Sequence, residues 1–369
     1  MIDLLWPIAL VVALCVFGIP AAASLLFAGA AAFLAILPGG RFLSVFGTIT
    51  VDALSTVLAI IPILMFVGAG LQALGLVQTF PVARTAKEER GAWYAGGILG
   101  APLPIAVSIV FLCVLTETSI AKAIVNGFLP GIFLSLVYLV IFTVSAARNG
   151  VPDLQRRDGG ISAALILSRI FVPVVFILLA VVPIFVGIFT PMEAVALAGL
   201  LVAIFVLLVA WFAESGWRRL LAGITAGTQG FGNFLLVVIG LLLLGYALNL
   251  GGGPANLARS IEAWGVGVGP FLLAISVLSA LIGIVIGALP AIGIVVIACY
   301  PAGATIGIDP IQTTVALFLT AEAIRVGPRL GRPGGSDEPT TSWPYYGAAM
   351  LVVAGYAFLP ASLALALNW

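Results

Sequence analysis

Glu322 and Arg325 stand three residues apart inside an apolar run, the spacing at which two side chains on a helix pair with each other. Upstream, Asp309-Pro310 has the form of a helix N-cap followed by a first-turn proline. Gln312, Thr313 and Thr314 extend a polar patch from there. Thr116-Glu117-Thr118-Ser119 separates two apolar runs; a Thr or Ser there suits a cap, and Glu117 adds a carboxylate to a candidate path. Thr190, Pro191 and Glu193 open another run, where an acid in the first turn complements the helix dipole and is equally open to a role on a substrate path. Ala101-Pro102-Leu103-Pro104 breaks a further run. Two prolines free backbone carbonyls, which are good cation ligands, so Pro102 and Pro104 mark either an ion or substrate site or a helix kink. Gly283, Gly287, Pro290 and Gly293 interrupt the second half at a corresponding place.

Other chemistries are excluded by what is missing. The chain has no histidine, so zinc hydrolases, histidine-based triads and histidine-ligated haem are out together. Cys15, Cys113 and Cys299 lie in apolar runs without a CxxC, which fits small core residues and supports neither a metal cluster nor a disulfide framework. No pair of acids within one run has a spacing that suggests catalysis, so no enzyme and no cofactor is expected. A net charge of +1 without a basic patch gives no basis for binding nucleic acid.

The elements that must position these residues follow from composition. The 369 residues are 63% hydrophobic and 8% charged, with a mean hydropathy of +1.28. Soluble domains carry roughly 25% charged residues. The expectation is an all-α polytopic membrane protein with about twelve transmembrane or re-entrant helices at roughly 20 residues each. The spans are placed at 4–17, 20–38, 57–78, 93–115, 123–147, 162–186, 191–213, 227–250, 268–287, 289–307, 310–325 and 345–367. The more polar stretch 43–56 suits the interface. The short or Gly/Pro-broken spans 4–17, 93–115, 289–307 and 310–325 suit re-entrant hairpins or half-helices. No basic segment precedes the first apolar run, so that run is expected to be kept rather than cleaved.

Charge orients the spans. Loops 79–92, 148–161 and 214–222 and the segment after 324 share one side under this count. They hold Arg84, Lys87, Arg90, Arg148, Arg156, Arg157, Arg218, Arg219, Arg325, Arg329 and Arg332. The other side holds Arg41, Lys122 and Arg259. That bias makes the first side cytoplasmic and both termini periplasmic. Arg169 lies within 162–186 and reads either as a snorkelling side chain or as a buried partner. Gly18-Ile19-Pro20 and Gly187-Ile188-Phe189-Thr190-Pro191 echo each other, each opening a helix. Matched proline-initiated helices suggest two repeat halves, 1–186 and 187–369, in an inverted arrangement.

Four segments, in order, carry a family resemblance. Gly187-Ile188-Phe189-Thr190-Pro191-Met192-Glu193-Ala194 is similar to a family segment reading GIFTPTEA. Gly216-Trp217-Arg218-Arg219-Leu220, the run from Thr118 to Gly131, and Gly307-Ile308-Asp309-Pro310 match further segments. Together, over about residues 95–325, they resemble the large membrane subunit of tripartite ATP-independent periplasmic (TRAP) transporters. The resemblance implies a secondary transporter of the ion-transporter superfamily in a bacterial inner membrane. It implies a rigid scaffold around a moving domain with two helical hairpins. It also implies a small four-helix membrane subunit and a periplasmic binding protein as partners. The cargo would be a small organic anion and the coupling ion sodium.

The sequence departs from the family where the hairpin tips belong. The charged run from Pro81 to Arg90 replaces a Gly/Ser-rich tip, and the run from Arg325 to Glu338 replaces a Thr-Pro-Pro tip. The family's Pro-Pro-Ser is here Pro102-Leu103-Pro104, and Gly287-Ala288-Leu289-Pro290 replaces an acidic position. No sodium ligand therefore carries over. Two readings follow: a permease with a rebuilt site, or a permease-derived structural subunit of an unrelated membrane complex. Lipid bilayer surrounds the chain under either.

Overall fold

The computed structural model describes residues 2–36, 42–57, 62, 66, 107–149, 182–183, 186–212, 216–326 and 343–358. Twelve helices and no strand occur among them. They are α1 (Ile2–Val16), α2 (Ala21–Ile36), α3 (Phe42–Val57), α4 (Val107–Thr116), α5 (Ile120–Asn149) and α6 (Pro191–Phe212). Then follow α7 (Gly216–Leu250), α8 (Gly253–Ala263), α9 (Val268–Ile286), α10 (Ala288–Thr305), α11 (Pro310–Val326) and α12 (Trp343–Ala357). Ile120–Tyr138 of α5, with α7, α9 and α10, is long and apolar enough to cross a bilayer. A polytopic membrane protein is the class this composition requires.

Several elements differ from the expected spans. The 43–56 stretch is helix α3, and the apolar run expected at 57–78 lies almost wholly outside the described residues. The span 162–186, with Arg169, is almost wholly outside them as well. The 214–222 segment, expected as a loop, is helical from Gly216, so α7 begins eleven residues before the expected 227. Its arginines hid the start because hydropathy drops there while helix propensity does not. An amphipathic helix, α8, occupies 253–263, where a loop was expected. Its buried residues Gly253, Pro254, Ala258 and Ile261 recur at helical spacing and pack on α10.

The chain divides into two compact units. The first contains α1 to α4, α5 as far as Pro130, α7 from Asn233, and α8 to α12. The second contains α5 from Gly131, α6, and α7 as far as Gly232. In the first unit, α11 packs against α4, α9, α10 and α12. Every residue of α11 from Gln312 to Ile324 is buried. A helix covered on all sides is the centre of its unit.

Close packing explains some of the glycines in this unit. A Cβ on Gly240 of α7 would lie 2.7 Å from Leu25 Cβ of α2, and one on Gly283 of α9 would lie 2.6 Å from Ile324 Cδ1 of α11. Small residues let helices approach where lipid supplies no hydrophobic drive between them. Gly283 and Gly293 are therefore packing positions inside α9 and α10, and the actual break is Gly287, at φ 90°. There the chain reverses: Phe271 of α9 packs near Gly303 of α10 on the far side of the turn.

One turn recurs. Gly18, Gly187 and Gly307 all have positive φ, and the next residue's N–H bonds a carbonyl five residues back: Ile19 to Leu14 at 3.1 Å, Ile188 to Pro183 at 3.0 Å, Ile308 to Gly303 at 3.1 Å. This closure satisfies carbonyls that a helix end would leave bare, and glycine fits the left-handed residue without strain. The echoed Gly-Ile segments thus share geometry as well as letters.

Candidate functional site

Polar side chains of the first unit collect along the contact of α4 with α11. The central position of α11 forces this: five of its buried residues, Gln312, Thr313, Thr314, Thr320 and Glu322, are polar or charged. A buried polar group without a partner costs a few kcal/mol, so each must find one inside the protein. Thr320 and Thr314 donate to carbonyls of their own helix, to Ala316 at 2.8 Å and Pro310 at 2.9 Å.

Glu322 cannot be satisfied locally in full. It is 3% exposed. One carboxylate oxygen pairs with Arg325 Nη2 at 2.6 Å, the expected i,i+3 partner. The Arg325 side chain is 40% exposed, so its stem runs outward while its charge stays beside the acid. The other oxygen accepts a hydrogen bond from Ser108 Oγ of α4 at 3.2 Å. Ser108 is itself buried, so the bond ties two segments 214 positions apart.

A second contact lies at the other end of α4. Thr116 Oγ1 is 2.9 Å from Leu112 O, 2.9 Å from Thr118 Oγ1 and 3.1 Å from Thr314 Oγ1. Tyr300 of α10 donates its hydroxyl to Thr116 O at 3.2 Å. Each threonine has one hydroxyl hydrogen. Thr116 and Thr314 both lie within reach of a carbonyl of their own helix, so bonding each other requires one of them to release it. The contact has two hydrogen-bond arrangements with the same atoms. Ser108 with Glu322 and Thr116 with Thr314 are each eight residues apart along their helices, so α4 and α11 run antiparallel, with about 12 Å between the two contacts.

Asp309 Oδ1 accepts the N–H of Ile311 at 2.8 Å, the N-cap read from the sequence. Glu117 is exposed and has φ 53°, the one non-glycine residue with positive φ among the described residues. Its turn repeats the Gly-Ile closure, with Thr118 N bonding Cys113 O at 3.0 Å. A glutamate thus occupies the left-handed position that glycine takes in the three matching turns, at a cost of roughly 1 kcal/mol.

Thr190 and Glu193 lie in the second unit, at the start of α6. Thr190 N–H donates to Glu193 Oε2 at 2.8 Å, and Glu193 N–H donates to Thr190 Oγ1 at 3.3 Å. That is a reciprocal capping box. The structure therefore gathers Thr116, Glu117 and Glu322 in the first unit, assigns Thr190 and Glu193 to a helix start, and leaves Pro102 and Pro104 outside the described residues. Sequence reasoning missed Ser108 and Tyr300. A lone serine in an apolar run was the available signal for Ser108; Tyr300 gave none.

Comparison with known proteins bears on the family of the chain. The chain is similar to the C4-dicarboxylate TRAP transporter large permease protein DctM of Pseudomonas aeruginosa, 25% identical over 240 residues, covering 64% of this chain and 54% of the relative. It is also similar to the uncharacterized protein y4mL of Sinorhizobium fredii, 20% identical over 273 residues, covering 70% of this chain and 64% of the relative. The chain thus spans between half and two thirds of the length of these curated relatives. Residues 85–332 match the family described as tripartite ATP-independent periplasmic transporter, DctM component. That match runs through 85–90 and 325–332, parts of both stretches read above as departures, and gives the structural-subunit alternative no support. The family is one of transporter permeases, not enzymes, and with its apolar helices the chain is a multi-pass inner-membrane protein that belongs to the DctM component family of TRAP transporters.

Proposed function

We propose that the chain is the large permease subunit of an ion-coupled TRAP-type transporter for a small organic anion. The observation that carries the reading is the polar row on α11. A helix at the centre of a membrane unit keeps buried threonines and a paired glutamate, at a cost that membrane proteins accept where solute or ion passes. Thr116, Thr314, Ser108 and Glu322 line the route in this reading, and Glu117 flanks it; Pro102 and Pro104 are candidates from the sequence alone. Thr190 and Glu193, which cap the start of α6 in the second unit, are further candidates for a substrate path.

A C4-dicarboxylate is the first cargo to try, since the Pseudomonas relative is named as a C4-dicarboxylate permease. Sodium is the coupling ion, moved as a co-substrate. A small four-helix membrane subunit and a periplasmic binding protein complete the system, as in the family. The halves 1–186 and 187–369 form the inverted repeat, an assignment supported by the shared closure at Gly18-Ile19 and Gly187-Ile188. The excess of basic residues on one side puts both termini in the periplasm.

The test is uptake of radiolabelled C4-dicarboxylates into proteoliposomes holding this chain with its small subunit and binding protein. An inward sodium gradient should drive accumulation, and Thr314→Val and Glu322→Gln should each reduce it at least tenfold. Uptake equal to empty vesicles across dicarboxylates and sugar acids, or uptake untouched by both substitutions, would overturn the reading.

A further inference from the structure

We propose that Ser276 and Ser279 of α9 hold a buried water that joins α9 to α11 at Thr320. The first ground is the pair of hydroxyls. Both serines are fully buried, and among the described residues neither Oγ has a hydrogen-bond partner. Other hydroxyls of the first unit reach the carbonyl four residues back: Thr116 that of Leu112, Ser260 that of Asn256, Thr314 that of Pro310, and Thr320 that of Ala316. A buried O–H without an acceptor is costly, and here the cost falls twice on one helix. Three residues apart, the two serines share a face of α9.

The second ground is what that face meets. Gly283, near the end of α9, packs against Ile324, near the end of α11. Ile308, just ahead of α11, lies with Phe271 of α9 around Gly303. Helices α9 and α11 therefore run in the same direction. One turn before the Gly283–Ile324 contact, about 6 Å along each axis, stand Ser279 on α9 and Thr320 on α11. Ser276 lies two turns before Gly283, on the same side. Thr320 is fully buried and gives its hydrogen to Ala316 O at 2.8 Å, so its oxygen keeps lone pairs to accept with. Ser276, Ser279, Ala280 and Gly283 are all small, which suits a ligand lodged between helices.

The third ground selects the ligand. Two O–H hydrogens need an acceptor, and the Thr320 oxygen can take a donor. Water supplies both: it accepts from Ser276 and Ser279 and donates to Thr320 Oγ1, the roughly three bonds that a buried water usually makes. A cation offers no acceptor and needs several free oxygens. Helix α9 is continuous from Val268 to Ile286, so its carbonyls along this stretch are taken by its own N–H groups. The carboxylate of α11, Glu322, is engaged by Arg325 and Ser108.

The probe is the water itself. X-ray radiolysis of the full-length chain oxidises a buried side chain where a bound water beside it supplies the hydroxyl radical, and mass spectrometry reads the product. Leu317 is fully buried, and seven residues before Ile324 it lies on the α9 side of α11. It should be oxidised in the wild-type chain and several-fold less in the variant with Ser276→Ala and Ser279→Ala. Unfolding in mixed micelles gives the sign of the effect. With bare hydroxyls, each alanine removes an unmet donor and raises the midpoint. With a shared water, each alanine lowers it, and the double variant falls little further than either single one. An unlabelled Leu317 in the wild-type chain, or a raised midpoint in the alanine variants, would overturn the proposal. So would a wild-type midpoint that follows sodium at constant ionic strength and loses that dependence in the double variant, since the site would then hold a cation. Neither readout depends on transport, so failure here leaves the proposed transport function standing.

Discussion

Helices α6 and α11 begin alike and end up opposite. Both start at a proline after a capped turn, and both carry a glutamate. Past Glu193, α6 is without a charge, yet its large side chains face outward: Leu200, Ile204, Leu208 and Trp211 are exposed. Its buried stripe is Ala194, Ala198, Val202, Val206 and Ala210, small residues at successive turns. The more polar α11 is buried from Gln312 to Ile324. In water this distribution would be inverted. In lipid, greasy faces are free to stay outside, small residues make the contacts, and polar residues need the protein interior. Polarity, not apolarity, locates the centre of the first unit.

Breaking the centre should cost the most. Arg325→Ala leaves the Glu322 carboxylate buried with the Ser108 hydroxyl as its remaining partner in the pair described, and should destabilise by about 3 kcal/mol, read from unfolding in mixed micelles. Next comes the small-residue stripe of α6. Ala198→Phe overpacks a fully buried contact and should cost about 2 kcal/mol by the same measurement. Thr190→Ala removes one arm of the capping box and should cost about 1 kcal/mol, with earlier hydrogen exchange in the first turn of α6. Smallest is Leu200→Ala on the outward face of α6, 57% exposed, where a change under about 0.5 kcal/mol is expected. A large loss there would mean that this face meets protein instead of lipid, and the contrast between the two helices would narrow.

What the sequence makes legible follows from distance along the chain. Thr190 with Glu193, Asp309 with Ile311, and Glu322 with Arg325 are all within three residues, and spacing alone predicts each contact. The bond from Ser108 to Glu322 spans 214 positions, and no local pattern encodes it. Among the described residues, most helix positions followed from apolar length, because the bilayer sets that length. The start of α7 and all of α8 did not, because an amphipathic helix is only half apolar and reads as a loop to a hydropathy criterion. The glycines near 287 were ambiguous for another reason. A glycine that admits a neighbouring helix, such as Gly283, has the same letter as one that reverses the chain, such as Gly287, and only φ separates them.

The central claim is that Glu322 ties α11 to α4 through Ser108. A double-mutant cycle of Ser108→Ala and Glu322→Gln on unfolding in mixed micelles tests it most directly. The structure predicts a coupling of about 1 kcal/mol or more between the two substitutions, since each removes one end of the same buried contact. Additive losses, with coupling below about 0.3 kcal/mol, would contradict the claim and leave α11 held by packing alone.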